Sequence, residues 1–493
     1  MSGICGIFSI TGYHIDDKDI LLKMQEIIVH RGPDSNKLHL DENIGFGYVG
    51  SNLSVDFENG GLICNEDETI WLVSDGEIYN YDELKKELTG LGHSFRSKNN
   101  IEVILHGYEE WEHRVLEKLD GMFAFAVWDR KRKIALLSRD RIGLKPLYYS
   151  IIGTKFFIFA SEVKSILQHP SIRAEVNEVR ILEYLVFRFV AGEETLFKNI
   201  YELLPGYMIE VEVDEYIRVS IQQYWDPYES CKGKSINDEN YCIARTRTLL
   251  TQSIDRLMKN GSIAIQLSGG VDSSSIVGIA SQITNLPIKT FTAGFEDKLC
   301  NEFHYAKIVA TKFGTDHYEM KIGGQEFADA LPKAIWYLDE PLNHPGSISQ
   351  YLLSIHARNH GISVLLTGDG ADGIFGGELF FALRKFLRYK KLSPLHHILK
   401  IFPETCKSRK IQKLERVLRT SHNDLVMFNE IYNDLPTARE VLCIPEGMDQ
   451  FRYRYSCLEK LEAEKDLLEK EFYFSLKTAT VTDIYAQARM SMG

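Results

Sequence analysis

Through residues 1–215 the apolar positions come in short bursts, some continuous and some alternating with polar ones. Ile70–Ser74, Gly121–Asp129, Ile134–Ser138 and Lys155–Ala160 are such bursts bounded by turn residues. That is the pattern of strands, whose side chains point to opposite faces in turn. Tyr81–Leu91 and Ile101–Trp111 space their apolar residues for a helix, with Asp82 a candidate N-cap of the first. Leu204-Pro205-Gly206-Tyr207 supplies a turn between two strand-like pieces. Residues 218–240 are polar and turn-rich, so a connector is expected there.

The texture then changes. Ile263–Leu267, Ile288–Phe291 and Ser363–Thr367 are short apolar runs separated by helical stretches such as Ser273–Gln282 and Glu302–Phe313. Strands alternating with helices predict a parallel, doubly wound sheet. From Phe380 onward the chain reads as mostly helical, with a strong charge periodicity over Tyr455–Leu476. The expected organisation is an α+β domain built on a β-sandwich over residues 1–215 and a linker over 216–240. An α/β doubly wound domain with added helices follows over 241–493.

Composition narrows the partners. The 493 residues suffice for two or three domains, at roughly 100–200 residues each. A net charge of -12 argues against a nucleic-acid partner. The eight cysteines are scattered, and no Cys/His group has zinc-site spacing. Free thiols in a reducing cytoplasm are therefore expected. The N-terminus lacks the basic and apolar regions of a signal peptide. No apolar run approaches the roughly 20 residues that span a bilayer. A soluble, cytoplasmic protein with small-molecule substrates is expected, with neither membrane nor nucleic acid as partner.

The densest chemistry lies in Ile263–Ser274, a strand, a glycine-containing loop and a helix start. Glycines let the backbone approach phosphate oxygens, and a helix N-terminus offers unpaired N–H groups and the positive end of its dipole. Ser268, Ser273 and Ser274 add hydroxyl donors, and Asp272 is placed to hold Mg²⁺ on a pyrophosphate. The Gly-Lys-Ser/Thr ending of a Walker A loop is missing. An ordinary strand-to-helix turn is the bland alternative.

The SGGxDSS run resembles the PP-loop of ATP pyrophosphatases, and further segments resemble the asparagine synthetase family in order. These are Phe291–Phe295, Asn301-Glu302 with Tyr305-Ala306, Gly314–His317, Leu338-Asp339-Glu340-Pro341, and Thr367–Gly377. The resemblance implies ATP binding by Leu267, Ser268, Gly269, Gly270, Asp272, Ser273, Ser274, Ala293, Thr367 and Gly368. It implies Mg²⁺ ligation by Asp272 and Asp372, and a catalytic role for Asp369 at an acyl-adenylate. Gly373 stands where the family has a glutamate. Arg489, Ser491 and Met492 match a family segment that elsewhere continues into a further strand and a lysine-bearing stretch. The synthetase half is therefore expected to be incomplete at its C-terminus.

Cys5-Gly6-Ile7, His30–Asp34, Asp75–Asn80, Gly121–Ala126 and Arg139–Tyr149 resemble class II glutamine amidotransferases. The resemblance implies an Ntn-hydrolase-like β-sandwich. It also implies Cys5 as the glutaminase nucleophile and glutamine binding by Asn52, Leu53, Ser54, Val55, Asp75, Gly76, Glu77 and Asn100. Asn52 replaces the family's arginine, Asp75 its asparagine and Asn100 its aspartate, and the Cys5 nitrogen is a peptide amide rather than a free amine. Either the domain is a retained scaffold or Cys5 is exposed by cleavage.

Together the resemblances imply an ATP-dependent ligase. It would adenylate a carboxylate, aspartate first among them, release pyrophosphate, and transfer nitrogen from glutamine or ammonia to give asparagine and AMP. Two alternatives stay open: an amide-forming cyclase similar to β-lactam synthetases and lasso-peptide cyclases, and a nucleotide-binding pseudoenzyme. A homodimer is among the expected assemblies.

Overall fold

A computed structural model describes residues 2–10, 15–51, 60–97, 99–232, 236–259, 261–284, 286–296, 301–342, 344–377, 426–427, 435–442, 451–461 and 467–492. The chain divides into two compact units. One comprises Met1–Glu175, Phe197–Gly368 and Tyr485–Gly493, the other Val176–Leu196 and Asp369–Ile484.

Two six-stranded antiparallel sheets open the first unit. One runs through Tyr201–Glu202, Tyr148–Ile152, Phe156–Ala160, Ser2–Ser9, Ile44–Gly50 and Ser35–Leu40. The other runs through Ile217–Gln223, Tyr207–Val213, Ile134–Arg139, Gly121–Asp129, Ile70–Ile78 and Leu62–Cys64. Their facing side chains form one core, with Ile4, Phe8, Phe46 and Phe159 from the first sheet meeting Val73, Ala126, Trp128 and Val211 from the second. Each large apolar side chain buried there stabilises by roughly 1.5–3 kcal/mol.

The outer faces are helix-covered. Leu21 and Met24 of helix Ile15–Glu26 pack beside Cys5 and Ile158 on one side. Helices Tyr81–Gly90 and Glu102–Trp111 pack on Leu72, Phe123 and Phe125 on the other. The alternation along Ser2–Ser9 sends Ile4 and Phe8 into the inter-sheet core and Cys5 and Ile7 toward the helix layer. The expected sandwich is present.

Three details differ from the sequence expectation. Ile217–Gln223, inside the stretch read as a linker, pairs in register with Tyr207–Val213, so the antiparallel sheet extends past residue 215. It is an edge strand in which Arg218, Ser220 and Gln222 are exposed polar residues, which is why it resembles a connector. Asp82 lies inside the first turn of its helix rather than at the cap; the cap position is Asn80. Asp316–Ile322 is a strand that its charged, edge-type sequence concealed.

The second part of this unit is a parallel sheet in the order Asp316–Ile322, Lys289–Phe295, Ile263–Gln266, Val364–Leu366. Helices cover both faces. Ile265 and Leu267 pack with Val277, Ala280, Ala306 and Ala310, while Ala264 and Phe291 pack with Leu353 and Ala357. The strand order reverses direction at Ile263–Gln266, and such switch points open a crevice at the carboxyl ends of the strands. The Leu267–Gly270 loop leaves the sheet at that edge.

In the second unit, helix Glu178–Phe187 packs with Arg452–Glu459, where Arg454 Nε donates to the buried Glu183 carboxylate at 2.7 Å and its guanidinium lies 3.8 Å from the Phe187 ring centre. The helical charge pattern over Tyr455–Leu476 falls on Arg452–Glu459 and Leu467–Lys477; residues 462–466 lie outside the described set, as do 378–425. Among the described residues no helix is long and apolar enough to cross a membrane. Cys5, Cys64, Cys231, Cys242 and Cys457 are free thiols.

Candidate functional site

At the parallel sheet, Leu267 is buried and its N–H donates to the Phe291 carbonyl at 2.8 Å, which anchors the loop at the strand end. Gly269 then turns the chain with φ +86°, and a Cβ there would lie 2.4 Å from the Tyr305 carbonyl carbon. Only glycine meets both conditions. Gly270 caps helix Val271–Ile283 with no side-chain acceptor, so the first-turn N–H groups face outward rather than toward a capping oxygen. Ser268 Oγ and Ser273 Oγ are 3.0 Å apart, Gly270 N–H donates to Ser268 Oγ at 3.2 Å, and Ser274 Oγ is buried without a partner.

Gly368 closes against the same turn, its Cβ position 3.1 Å from Asp272 Cβ and 3.2 Å from Ser273 N. Asp272 is exposed in the first helical turn. Ala293 lies on the neighbouring strand Lys289–Phe295, two residues past Phe291. Leu267, Ser268, Gly269, Gly270, Asp272, Ser273, Ser274, Thr367 and Gly368 thus gather at one end of the sheet. An outward helix N-terminus, an orphan hydroxyl and an exposed carboxylate fit a magnesium-bound polyphosphate.

Asp369 and Asp372 belong to the second unit. Asp372 stands in the first turn of helix Ala371–Phe375, and Gly376 N–H donates to its carbonyl at 2.9 Å. Any side chain at Gly373 would run into Thr480, whose Oγ1 lies 2.0 Å from the Cβ position, so a glutamate has no room there.

In the antiparallel sandwich Cys5 and Asp75 both lie wholly inside the protein. Cys5 is fully buried, paired with Gly47 and Ala160. Burial pushes its thiol up to about 12, with hydrogen bonds from Ser165 and Gly47 only partly offsetting this. The thiolate is the nucleophilic form, so such a thiol is inert near neutrality. The peptide bond before it is held in place: Ile4 N–H donates to Ser161 Oγ at 2.9 Å, and Ser161 N–H to the Ile4 carbonyl at 2.8 Å.

Asp75 is also fully buried. Its Oδ1 accepts from Ser2 Oγ at 2.7 Å and faces Lys145 Nζ at 3.0 Å, and its Oδ2 accepts from Arg31 Nη2 at 3.0 Å. Burial alone would raise its pKa, but Lys145 and Arg31 hold it below the usual carboxylate range. Residues Ser2–Ile4 continue the first strand and pair with Tyr48–Gly50. They fill the ground ahead of Cys5. Gly76, at φ +153°, admits no side chain, since a Cβ would lie 2.1 Å from the Met122 carbonyl oxygen. Glu77 follows on the same strand, and Asn100 keeps a buried, unpartnered Oδ1. Asn52, Leu53, Ser54 and Val55 lie outside the described residues.

Charge continues from this point. Arg31 Nη1 donates to Glu162 Oε1 at 3.1 Å, which also meets His30 Nε2 at 3.0 Å. Glu162 pairs with Lys164, which meets Asp339 of the Leu338–Pro341 turn at 3.0 Å, and Arg489 lies 3.6 Å from that carboxylate. His30 packs on Trp336 and Tyr337, with ring centres 5.0 Å away in each case. Ser2, Arg31, Lys145, Glu162 and Lys164 were not singled out by sequence. A detectable signal existed: an aspartate in the apolar Ile70–Ile78 run must find cations once buried.

Two family models match the chain. The glutamine amidotransferase domain covers residues 1–225 and asparagine synthase covers residues 245–493. Asparagine synthetase [glutamine-hydrolyzing] 1 of Bacillus subtilis is 33% identical over 84% of this chain and 66% of its own length. Asparagine synthetase [glutamine-hydrolyzing] 3 of the same organism is 30% identical over 77% and 64%. A putative asparagine synthetase [glutamine-hydrolyzing] 2 of Methanocaldococcus jannaschii is 31% identical over 76% of each. The match spans about two thirds of the length of the two Bacillus relatives.

Proposed function

The chain belongs to the asparagine synthetase family, and from that premise we propose that it is an ATP-dependent amide-forming ligase whose nitrogen comes from free ammonia. The observation that carries the ATP half is the Gly269 turn, with its outward helix start and the orphan Ser274 hydroxyl beside it. Such a turn offers donors to the phosphates without any cost of reorganisation.

In the proposed reaction a carboxylate oxygen, aspartate's by family resemblance, attacks the α-phosphate and pyrophosphate leaves with the bridging oxygen's electrons. Ammonia then attacks the acyl-adenylate carbonyl, AMP departs, and a proton is lost to solvent to leave the amide. The first-turn N–H groups after Gly270 and the Ser268 and Ser274 hydroxyls would take up charge on the phosphates. Asp272 would hold Mg²⁺, whose charge offsets that of the leaving group. Asp369, Asp372 and Ala293 keep the roles that the resemblance gives them. The acidic charge and scattered free thiols fit a cytoplasmic enzyme of small molecules.

Ammonia rather than glutamine is proposed because the carboxylate of Asp75 stands where the glutaminase of the family needs a neutral donor, and a carboxylate repels a developing oxyanion. The buried Cys5 thiol, with a peptide nitrogen in place of a free amine, supports the same reading. The same burial of Cys5 is compatible with a second reading, in which the amine is carried by the substrate itself and a ring is formed.

The test is carboxylate-dependent exchange of labelled pyrophosphate into ATP by the full-length protein. Exchange that requires aspartate supports the ligase. Exchange with none of the tested carboxylates, alongside intact folding, removes it.

A further inference from the structure

Away from both sites, one side-chain cluster has a complete two-layer arrangement. His93 follows helix Tyr81–Gly90, and His106 and Glu109 lie one turn apart on helix Glu102–Trp111. Among the described residues this is the one group of three whose ligand atoms, one from each, lie within 4.8 Å of one another. His93 Nδ1 and His106 Nδ1 both face Glu109 Oε2, at 3.4 and 2.8 Å. Bonds of about 2.0–2.2 Å in a tetrahedral site separate ligand atoms by roughly 3.3 Å, so small side-chain adjustments bring all three to one point.

An outer layer of polar groups holds His93 and Glu109 by hydrogen bonds and places a carboxylate beside His106. His106 Nε2 is buried, lacks a hydrogen-bond partner, and lies 3.6 Å from Glu102 Oε1. Glu102 itself is fixed by the Arg96 and Ser97 N–H groups and the Ser97 hydroxyl. His93 Nε2 faces Glu110 Oε2 at 3.4 Å. Glu109 Oε1 accepts from Asn65 Nδ2 at 2.8 Å, leaving Oε2 for the centre. Phe95 packs edge-on against the His106 ring, with centres 4.8 Å apart. Metal-binding histidines characteristically direct their second nitrogen to a carboxylate, which fixes tautomer and orientation.

We propose that His93, His106 and Glu109 form a binding site for a divalent first-row cation of the zinc class, pinning the 91–97 loop to helix Glu102–Trp111. The donor set is two imidazoles and one carboxylate, which suits zinc with water as the fourth ligand. Residue spacing gave no hint of it, because His93 lies outside the helix that carries His106 and Glu109 and no cysteine takes part.

The experiment uses full-length protein stripped with chelator, equilibrated with Zn²⁺ and passed through a desalting column. One zinc per chain is expected by mass spectrometry of the metal, together with a rise in melting temperature. His93→Ala and Glu109→Gln should each weaken zinc retention at least tenfold and abolish the rise, while circular dichroism stays that of the parent. His93 is only partly buried, so its removal leaves the fold standing. Two results overturn the site. One is a parent protein that retains no zinc, which makes the cluster an imidazolium–carboxylate group only. The other is equal retention by parent and both variants, which places the metal elsewhere.

Discussion

The hydroxyl of Ser2 donates a 2.7 Å hydrogen bond to Oδ1 of Asp75, joining the residues ahead of Cys5 to a carboxylate buried on the facing sheet. Arg31 and Lys145 meet the same carboxylate, so its charge is engaged by partners within the fold.

Removing that carboxylate should be severe. Asp75→Ala leaves the buried Lys145 without its carboxylate and Arg31 with Glu162 alone, and is expected to cost about 3–5 kcal/mol of stability, against about 1 kcal/mol for Ser2→Ala. The pH sign follows from a pKa held down in the fold: the Asp75 contribution is full above the usual carboxylate range. It is lost as pH falls through the folded value. Urea unfolding of the parent and Asp75→Asn at pH 7 and pH 3 measures this. Their stability difference should narrow at the lower pH.

Cys5 should be silent toward electrophiles. In the folded protein at pH 8, iodoacetamide should leave it unmodified while labelling the exposed Cys231, and unfolding in guanidinium should expose both. With the folded thiol near 12 and an unfolded value of 9.0, unfolding releases a proton between those limits, so Cys5 lowers stability as pH rises through that window. Peptide mapping by mass spectrometry identifies the modified residue.

Gly269→Ala is the sharpest probe of the phosphate loop. Its φ of +86° and the 2.4 Å approach to Tyr305 make a side chain incompatible with the turn. The backbone term alone is about 1–3 kcal/mol. Pyrophosphate exchange should fall at least a hundredfold, whereas Gly90→Ala, with open space around its Cβ position and no left-handed backbone, should leave exchange near the parent rate.

Much of this was legible from the chain. Gly121–Asp129 and Ile134–Ser138 alternate clearly enough to be seen as strands, and Ile263–Ser274 names its own turn through Gly269 and Gly270. The concealed parts share a cause. Ile217–Gln223 and Asp316–Ile322 are edge strands, where one face carries solvent-compatible side chains and the apolar signal halves. The Asp75–Arg31–Glu162 chain unites residues far apart in sequence, and His93 meets the one-turn pair His106 and Glu109 from outside their helix, so no local period encodes either meeting.

The source of the amide nitrogen tests the account most directly. Full-length protein given ATP, Mg²⁺, aspartate, ¹⁵N-ammonium and unlabelled glutamine should place ¹⁵N in the product amide, read by mass spectrometry. The reciprocal mixture, with the label in the glutamine amide, should give unlabelled product. Label arriving from glutamine, and lost in Cys5→Ala, would contradict the closed pocket around Asp75.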